Sequence, residues 1–304
     1  MTYLMSVRST APAKINLALE ILGKRKDGFH EIDTVMSTVS LADTLTVTRS
    51  EPGSGLSYQV TGPESESLSV AGDISCVAAK MLADASKTAL DVNIHLDKKI
   101  PISGGLGGGS SDAAAMLRSL NILWNLNWSD DQLGELAGEI GSDVPFFVHG
   151  GFCHCTGRGE LIEELPDISN FSILILSPDV DTPGDKTTSM FKALSRAELS
   201  EGKHSWRVAQ RLSRGLPPPT TDLVNAFESV IERTNQTLVE RYGSYSEAGA
   251  LKLHLSGSGP SVFMFLHPGA DVASLTRSFE NIGGRCFSVQ TLSRETSRKV
   301  ETNV

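Results

Sequence analysis

A chain of 304 residues, 39% hydrophobic and 21% charged, carries enough apolar material for one large or two ordinary globular domains. Its net charge of −9, from 27 basic and 36 acidic residues, argues against a general nucleic-acid binder, which needs a basic face. Cys76, Cys153, Cys155 and Cys286 include no C-x-x-C pair, residues 1–8 lack a signal-like apolar stretch, and no apolar run approaches the roughly 20 residues that span a bilayer. A cytoplasmic protein with neither a membrane nor a nucleic-acid partner is expected.

Residues 15–22 alternate apolar with small or polar side chains and predict a strand, closed by a charged turn over 23–28. Strands are predicted over 35–39 and 44–48. The 51–69 segment, rich in Gly, Ser and Pro, reads as loop with a short strand at 56–60. A helix follows over 73–86, with Val77, Met81 and Leu82 on one face, then a strand at 92–96 by strict alternation. Helices are predicted over 110–124 and over 130–140, the latter capped by Ser129 with acidic residues in its first turn. Strands at 151–156 and 171–176 lead into a loop with Pro178 and Pro183. Helices come next near 188–194, 205–213 and 223–241, then strands at 251–256 and 262–266, a helix at 271–282 and a last strand at 286–292. The pattern gives two α+β halves with a boundary near 160–170.

The segment Pro101-Ile-Ser-Gly-Gly-Leu-Gly-Gly-Gly-Ser-Ser111 is the most informative in the chain. Five of its eleven residues are glycine (Gly104, Gly105, Gly107, Gly108, Gly109), and it joins a strand to a helix. Glycine permits positive φ and leaves successive amides free to converge on an oxyanion. The helix start adds its positive end, and the Ser110 and Ser111 hydroxyls can meet a phosphate oxygen or a magnesium ion. A Walker loop would need lysine after its last glycine, where this chain has Ser110. The dinucleotide fingerprint begun at Gly105 would need glycine at the same place.

Two further residues are ambiguous on their own. Lys14 and Asn16 share a strand face, and the lysine is either catalytic or a solvated edge residue. Asp143, in Gly141-Ser-Asp-Val-Pro145, is either a reactive carboxylate or a helix-cap or turn residue. His149, Cys153, His154 and Cys155 crowd one segment, yet Cys153 and Cys155 face one side of a strand and His154 the other, so no metal site is expected there.

Taken together, Pro12-Ala-Lys-Ile-Asn-Leu17, Lys26-Asp-Gly-Phe-His30, the glycine-rich loop, Gly141-Ser-Asp-Val-Pro145 and Leu255-Ser-Gly-Ser-Gly-Pro-Ser261 resemble the GHMP kinase superfamily. The likeness is sharpest to its branch that phosphorylates a cytidyl diphosphate polyol in non-mevalonate isoprenoid synthesis. It spans most of 11–160 and returns at 256–263, while 180–216 diverges. The resemblance implies a two-domain α+β fold, with an ATP-binding domain over 1–165 and a ferredoxin-like substrate-side domain over 166–304. It implies ATP and Mg2+, with Asp143 as base, Lys14 as its partner, and Pro101, Gly104, Gly105, Gly107–Gly109, Ser110 and Ser111 holding ATP. Asn16, Phe29, His30, Gly257, Ser258 and Gly259 would meet the substrate, with Phe191 a candidate second stacking ring. A homoserine- or mevalonate-type substrate, or a silent nucleotide sensor, are the alternatives. A carboxylate substrate would call for arginine where this chain has Phe29-His30, and retention of Lys14, Asp143, Ser110 and Ser111 speaks against the sensor.

Three positions depart from the family pattern. Phe29 replaces a tyrosine, which keeps stacking but loses a hydroxyl. Asp73 stands where an asparagine touching the nucleotide is expected. Asp112 opens the loop's helix, where a role as a simple N-terminal charge is expected rather than metal ligation.

Overall fold

The computed structural model describes residues 5–68, 72–168, 171–181 and 186–303. The first four residues of the 1–8 start, Ser69 at the end of the predicted 51–69 loop, and Pro183 lie outside them.

Two long strands open the chain where several short ones were expected: β1, Ser6–Lys24, and β2, His30–Arg49. They pair antiparallel along almost their whole length, with register shifts at Pro12/Ala13, Asn16/Ala18 and Ile21/Gly23. Each irregularity adds local twist and re-aims the side chains beside it. β3, Leu56–Thr61, is followed by helix α1, Ile74–Ser86, and by β4, Val92–Asp97, which lies parallel to β3 and antiparallel to the far end of β2.

Helices α2, Gly108–Leu123, α3, Asp130–Ile140, and α4, Val144–His149, come next. α2 begins two residues earlier than expected. Its Ala113, Ala114 and Ala115 are fully buried, and such small side chains let the helix lie close to β1 and β2. α3 carries the predicted cap as a full box: the Gln132 amide donates to Ser129 Oγ (3.2 Å), and the Ser129 amide donates to Gln132 Oε1 (2.9 Å). β5, Phe152–Thr156, then pairs with the first part of β2, and β6, Leu161–Leu165, pairs with β5.

The second sheet begins with β7, Ser172–Ser177. It is followed by helices α5, Lys186–Lys192, α6, Lys203–Leu212, α7, Phe227–Thr234, and α8, Gln236–Glu247. One helix over 223–241 was expected, but Asn235 divides it. Its backbone leaves the helical region (φ −138°, ψ 80°), and its side chain accepts the Leu238 amide (3.1 Å) to start α8. β8 is only His254–Leu255, because Leu251 and Lys252 project into solvent. β9, Val262–Phe265, α9, Val272–Ile282, β10, Arg285–Gln290, α10, Arg294–Ser297, and β11, Val300–Asn303, complete the chain.

β7 to β10 form a four-stranded antiparallel sheet in the order β10-β7-β9-β8, the ferredoxin-like arrangement. β11 does not join it. That strand returns to pair with β1, so the 166–304 segment is not confined to the second sheet. One apolar core lies between the first sheet and α1–α4, another between the second sheet and α7–α9. A third, with Ile15, Leu106, Phe152, Ile175 and Phe263, joins the two sheets behind the cleft described next. Among the described residues, no helix is long and apolar enough to cross a membrane.

Candidate active site

A cleft of about 1330 Å³ runs from the glycine-rich loop, past β1, to the β1–β2 turn and α5. Pockets that hold one drug-sized ligand measure ~300–1,000 Å³, so there is room for two ligands end to end. Pro101, Gly104, Gly105, Gly107, Gly108, Gly109 and Ser110 all line it. Ser111 does not: it is fully buried, with its Oγ lacking a hydrogen-bond partner among the described residues.

The glycines at two loop positions have a steric reason. At Gly105 (φ +80°) a Cβ would stand 2.2 Å from the Ser256 carbonyl oxygen, and at Gly107 (φ +71°) 2.7 Å from the Phe147 ring. The loop therefore passes directly between the second sheet's 256–261 loop and the core under α4. Ser256 Oγ donates to the Gly105 carbonyl (3.0 Å), the Ser261 amide donates to that of Gly104 (3.1 Å), and the Lys14 amide donates to that of Leu106 (2.9 Å). With its carbonyls anchored behind, the loop enters α2, whose first amides have no acceptor within the helix. Free amides in that arrangement can cradle an oxyanion.

Lys14 is 5% exposed and fixed by a chain of hydrogen bonds. Its Nζ donates to Asn16 Oδ1 (2.5 Å), which also accepts the Gly257 amide (2.9 Å). Asn16 Nδ2 donates to Thr34 Oγ1 (2.9 Å), and that hydroxyl donates to the Ala18 carbonyl (2.6 Å). The Asn16 amide can point only one way in this chain, so Lys14 is held rather than solvated. The edge-lysine reading is overturned.

Asp143 stands at the N-cap position of α4, yet its carboxylate makes no capping bond. The carboxylate lies 3.7 Å from Lys14 Nζ with 37% of the side chain exposed to the cleft. A cap-shaped position whose carboxylate faces a lysine instead is free for chemistry.

Asp112 is placed differently from expectation, while Asp73 adds a capping role to a place in the cleft. Asp112 is not a simple helix-end charge: it is buried beneath the loop, where Lys98 Nζ donates to Asp112 Oδ2 (2.6 Å) and to Asp43 Oδ2 (2.5 Å). Asp43 Oδ1 accepts the amides of Lys99 (2.5 Å) and Ile100 (2.9 Å), tying the start of the loop to β2. Burial raises the Asp112 carboxyl well above its usual range, with Asp43 adding to the effect against the pull of Lys98. One lysine facing two carboxyls in a dry site is balanced when Asp112 keeps its proton. Asp73 caps α1, accepting the Ser75 amide (2.8 Å) and hydroxyl (2.5 Å), while lining the cleft. Its position also edges a smaller cavity of about 310 Å³ beside Tyr58 and Cys76.

At the other end of the cleft, the His30 imidazole stacks on Phe191 (centroids 5.0 Å apart, 22° between planes), and Phe191 meets Phe227 edge-on. Burial, helped by Lys24, lowers the His30 pKa, which keeps a donor and an acceptor on the neutral ring. Phe29 is half exposed, with the Arg158 guanidinium 4.8 Å above its ring. Of the second glycine motif, Gly257 and Ser258 line the cleft at the Lys14 end; Gly259 does not, and a Cβ there would run into Leu255 and Ile231.

The family model for GHMP kinases, N-terminal domain, matches residues 73–151. A 4-diphosphocytidyl-2-C-methyl-D-erythritol kinase of Heliobacterium modesticaldum is 34% identical over 95% of this chain and 96% of its own length. One of Listeria welshimeri is 35% identical over 94% and 95%. The chain belongs to this kinase family. A crystal structure of a 4-(cytidine 5′-diphospho)-2C-methyl-D-erythritol kinase, 30% identical, superposes with a TM-score of 0.76 over 93% of this chain and 98% of that one. A homoserine kinase from Cytophaga hutchinsonii shares the fold at 16% identity, with a TM-score of 0.71 over 99% and 98%.

Membership of the family makes the chain an ATP-dependent small-molecule kinase, and the fold is the two-part α+β fold of that superfamily. Several cleft residues escaped the sequence reading: Thr34, Lys98, Arg158, Lys186 and Thr187. Only Lys98 left a local signal, a basic pair with Lys99 immediately before Pro101. The crowded His149–Cys155 stretch disperses. His149 pairs with Glu164, His154 pairs with Asp33 and Glu163, and both cysteines are buried and free.

Proposed function

We propose that this chain transfers the γ-phosphoryl group of ATP to the 2-hydroxyl of 4-diphosphocytidyl-2-C-methyl-D-erythritol, a step in non-mevalonate isoprenoid precursor synthesis. The observation that carries the chemistry is the exposed Asp143 carboxylate 3.7 Å from an anchored Lys14, beside the glycine cradle.

In this reading Asp143 accepts the proton of the substrate hydroxyl as its oxygen attacks the γ-phosphorus and the bond to the bridging oxygen of ADP breaks. Lys14 commits one N–H to Asn16 and keeps two for Asp143 and the charge on the transferring group. The α2 amides and Ser110 hold the phosphates. The Ser110 hydroxyl in the cleft, with Ser111 behind it, suits a hard cation, and Mg2+ bound there with the phosphates would neutralise their charge.

His30, Phe29 and Phe191 form the nucleobase end, and Arg158 above Phe29 is available to the substrate diphosphate. Phe29 serves the stacking role without a hydroxyl. We assign Gly257 and Ser258 to the substrate's phosphoryl-accepting end rather than to its base, since the Gly257 amide meets Asn16.

A coupled ADP-release assay with MgATP tests the reading, with the cytidyl substrate beside homoserine and mevalonate and Asp143→Asn as control. Turnover of the cytidyl substrate alone, lost in the variant, is expected. Turnover of another alcohol would remove the substrate assignment and leave the kinase.

A further inference from the structure

Lys186 opens α5 in a stretch where the sequence showed no motif. It lines the cleft, and its Nζ donates to the Ser103 carbonyl (2.8 Å) in the glycine-rich loop and to the Gly259 carbonyl in the second sheet's loop. The adjacent Thr187 Oγ1 meets Ser258 Oγ (3.2 Å), so two successive residues of α5 grip the same segment. We infer that Lys186 is a second phosphate-facing cation of this active site, and that it ties the glycine cradle of the first sheet to the 256–261 loop of the second. The inference rests on the reading that the cleft binds ATP.

Three observations favour an anion-binding role over a purely structural tie. First, among the described residues no carboxylate lies within ion-pair reach of Lys186, although it is half-buried. Second, the charged group acting most directly on it is another cation, Lys14, whose own carboxylate partner Asp143 lies on α4's side of the cleft. On the loop's other side Glu64, which accepts the Ile102 amide, is engaged by Arg285. Third, burial first and Lys14 second pull the Lys186 ammonium down from 10.5 to about 7. Two carbonyls could be bridged by a neutral donor without that penalty. An ammonium with one N–H left, facing a like charge across a glycine cradle, is an arrangement that a polyphosphate between them would relieve.

The sign of the linkage gives a readout that a structural tie would not produce. A lysine with its folded pKa below the unfolded value destabilises the free protein where it is charged, below about pH 7, and the penalty fades as pH rises toward 10.5. The test uses the full chain with Lys186→Met and Lys186→Gln, the latter keeping one neutral donor for the carbonyls. Thermal unfolding is followed without ligand at about pH 6, a pH at which the wild-type lysine is charged. Binding of MgAMP-PNP and of AMP is measured by calorimetry.

At least one variant is expected to unfold no earlier than wild type. Both should bind AMP-PNP weaker by about tenfold or more, the loss expected for a charge-assisted hydrogen bond, with AMP changed by less than about twofold. AMP-PNP affinity unchanged in Lys186→Gln, or AMP and AMP-PNP weakened equally, would overturn the proposal. If wild type binds neither nucleotide, the ATP reading itself fails and the inference goes with it.

Discussion

Replacing Asn16 with alanine separates the two roles this residue can play. Its amide accepts from Lys14 Nζ (2.5 Å) and the Gly257 amide (2.9 Å) and donates to Thr34 Oγ1 (2.9 Å). At about 1 kcal/mol for each neutral bond and about 2 for the charged one, the three sum to about 4 kcal/mol. Water entering from the cleft can re-solvate part of this, so a loss of about 2–3 kcal/mol is expected, read as a denaturant midpoint shift at unchanged slope. Lys14 loses its hydrogen-bond anchor on β1, and misplacing a charged group by about 1 Å can reduce turnover by about 10²-fold. Steady-state assays should therefore show kcat falling by that order, with little change in KM for the cytidyl substrate. The opposite split, kcat within about threefold of wild type and a raised KM, would refute the positioning argument and make Asn16 a substrate ligand.

Asp143→Asn should lower kcat by ~10²–10⁴-fold, the usual contribution of a general base, while the melting temperature barely moves, because this carboxylate caps nothing. Gly105→Ala should abolish ATP binding and reduce stability, since its Cβ would meet the Ser256 oxygen at 2.2 Å; Gly109→Ala, with Ile74 as nearest neighbour at 3.5 Å, should leave the stability unchanged. Lys98→Met leaves Asp43 and Asp112 buried without their cation and should destabilise the fold by about 3–5 kcal/mol in urea titrations. The Asp112 carboxyl, raised by burial above 3.8, binds its proton more tightly folded than unfolded, so it subtracts stability as pH climbs above 3.8. Asp112→Asn should accordingly unfold later than wild type near neutral pH and converge with it at about pH 3; a gap that widens in acid would contradict the buried-proton account.

The sequence by itself determined what depends on short-range geometry. Glycine content and the strand-to-helix transition specified the cradle at Pro101–Ser111. Ser129 ahead of an acidic first turn specified the start of α3, and alternation put Lys14 and Asn16 on one face. These are properties of φ/ψ preference and period, settled within a few residues. The motifs also carried the family, because their combination is rare even though each is ambiguous alone.

Tertiary structure decided which of those residues meet. The register shifts beside Pro12 and Asn16 re-aim β1, and the placement of α4 brings Asp143 to Lys14. The second sheet's loop delivers the Gly257 amide to Asn16 across 241 residues of chain. Asp112 read as a helix-end charge because the sequence does not show that Lys98 and Asp43 fold over it. Asp143 stayed open between cap and reactive carboxylate in the sequence because its position is a cap, while only the fold shows its carboxylate turned to Lys14 instead. Lys186 left no trace in pattern or motif, since what places its ammonium is two carbonyls from distant loops. Proximity between distant segments is set by packing and loop closure, which local propensity does not encode.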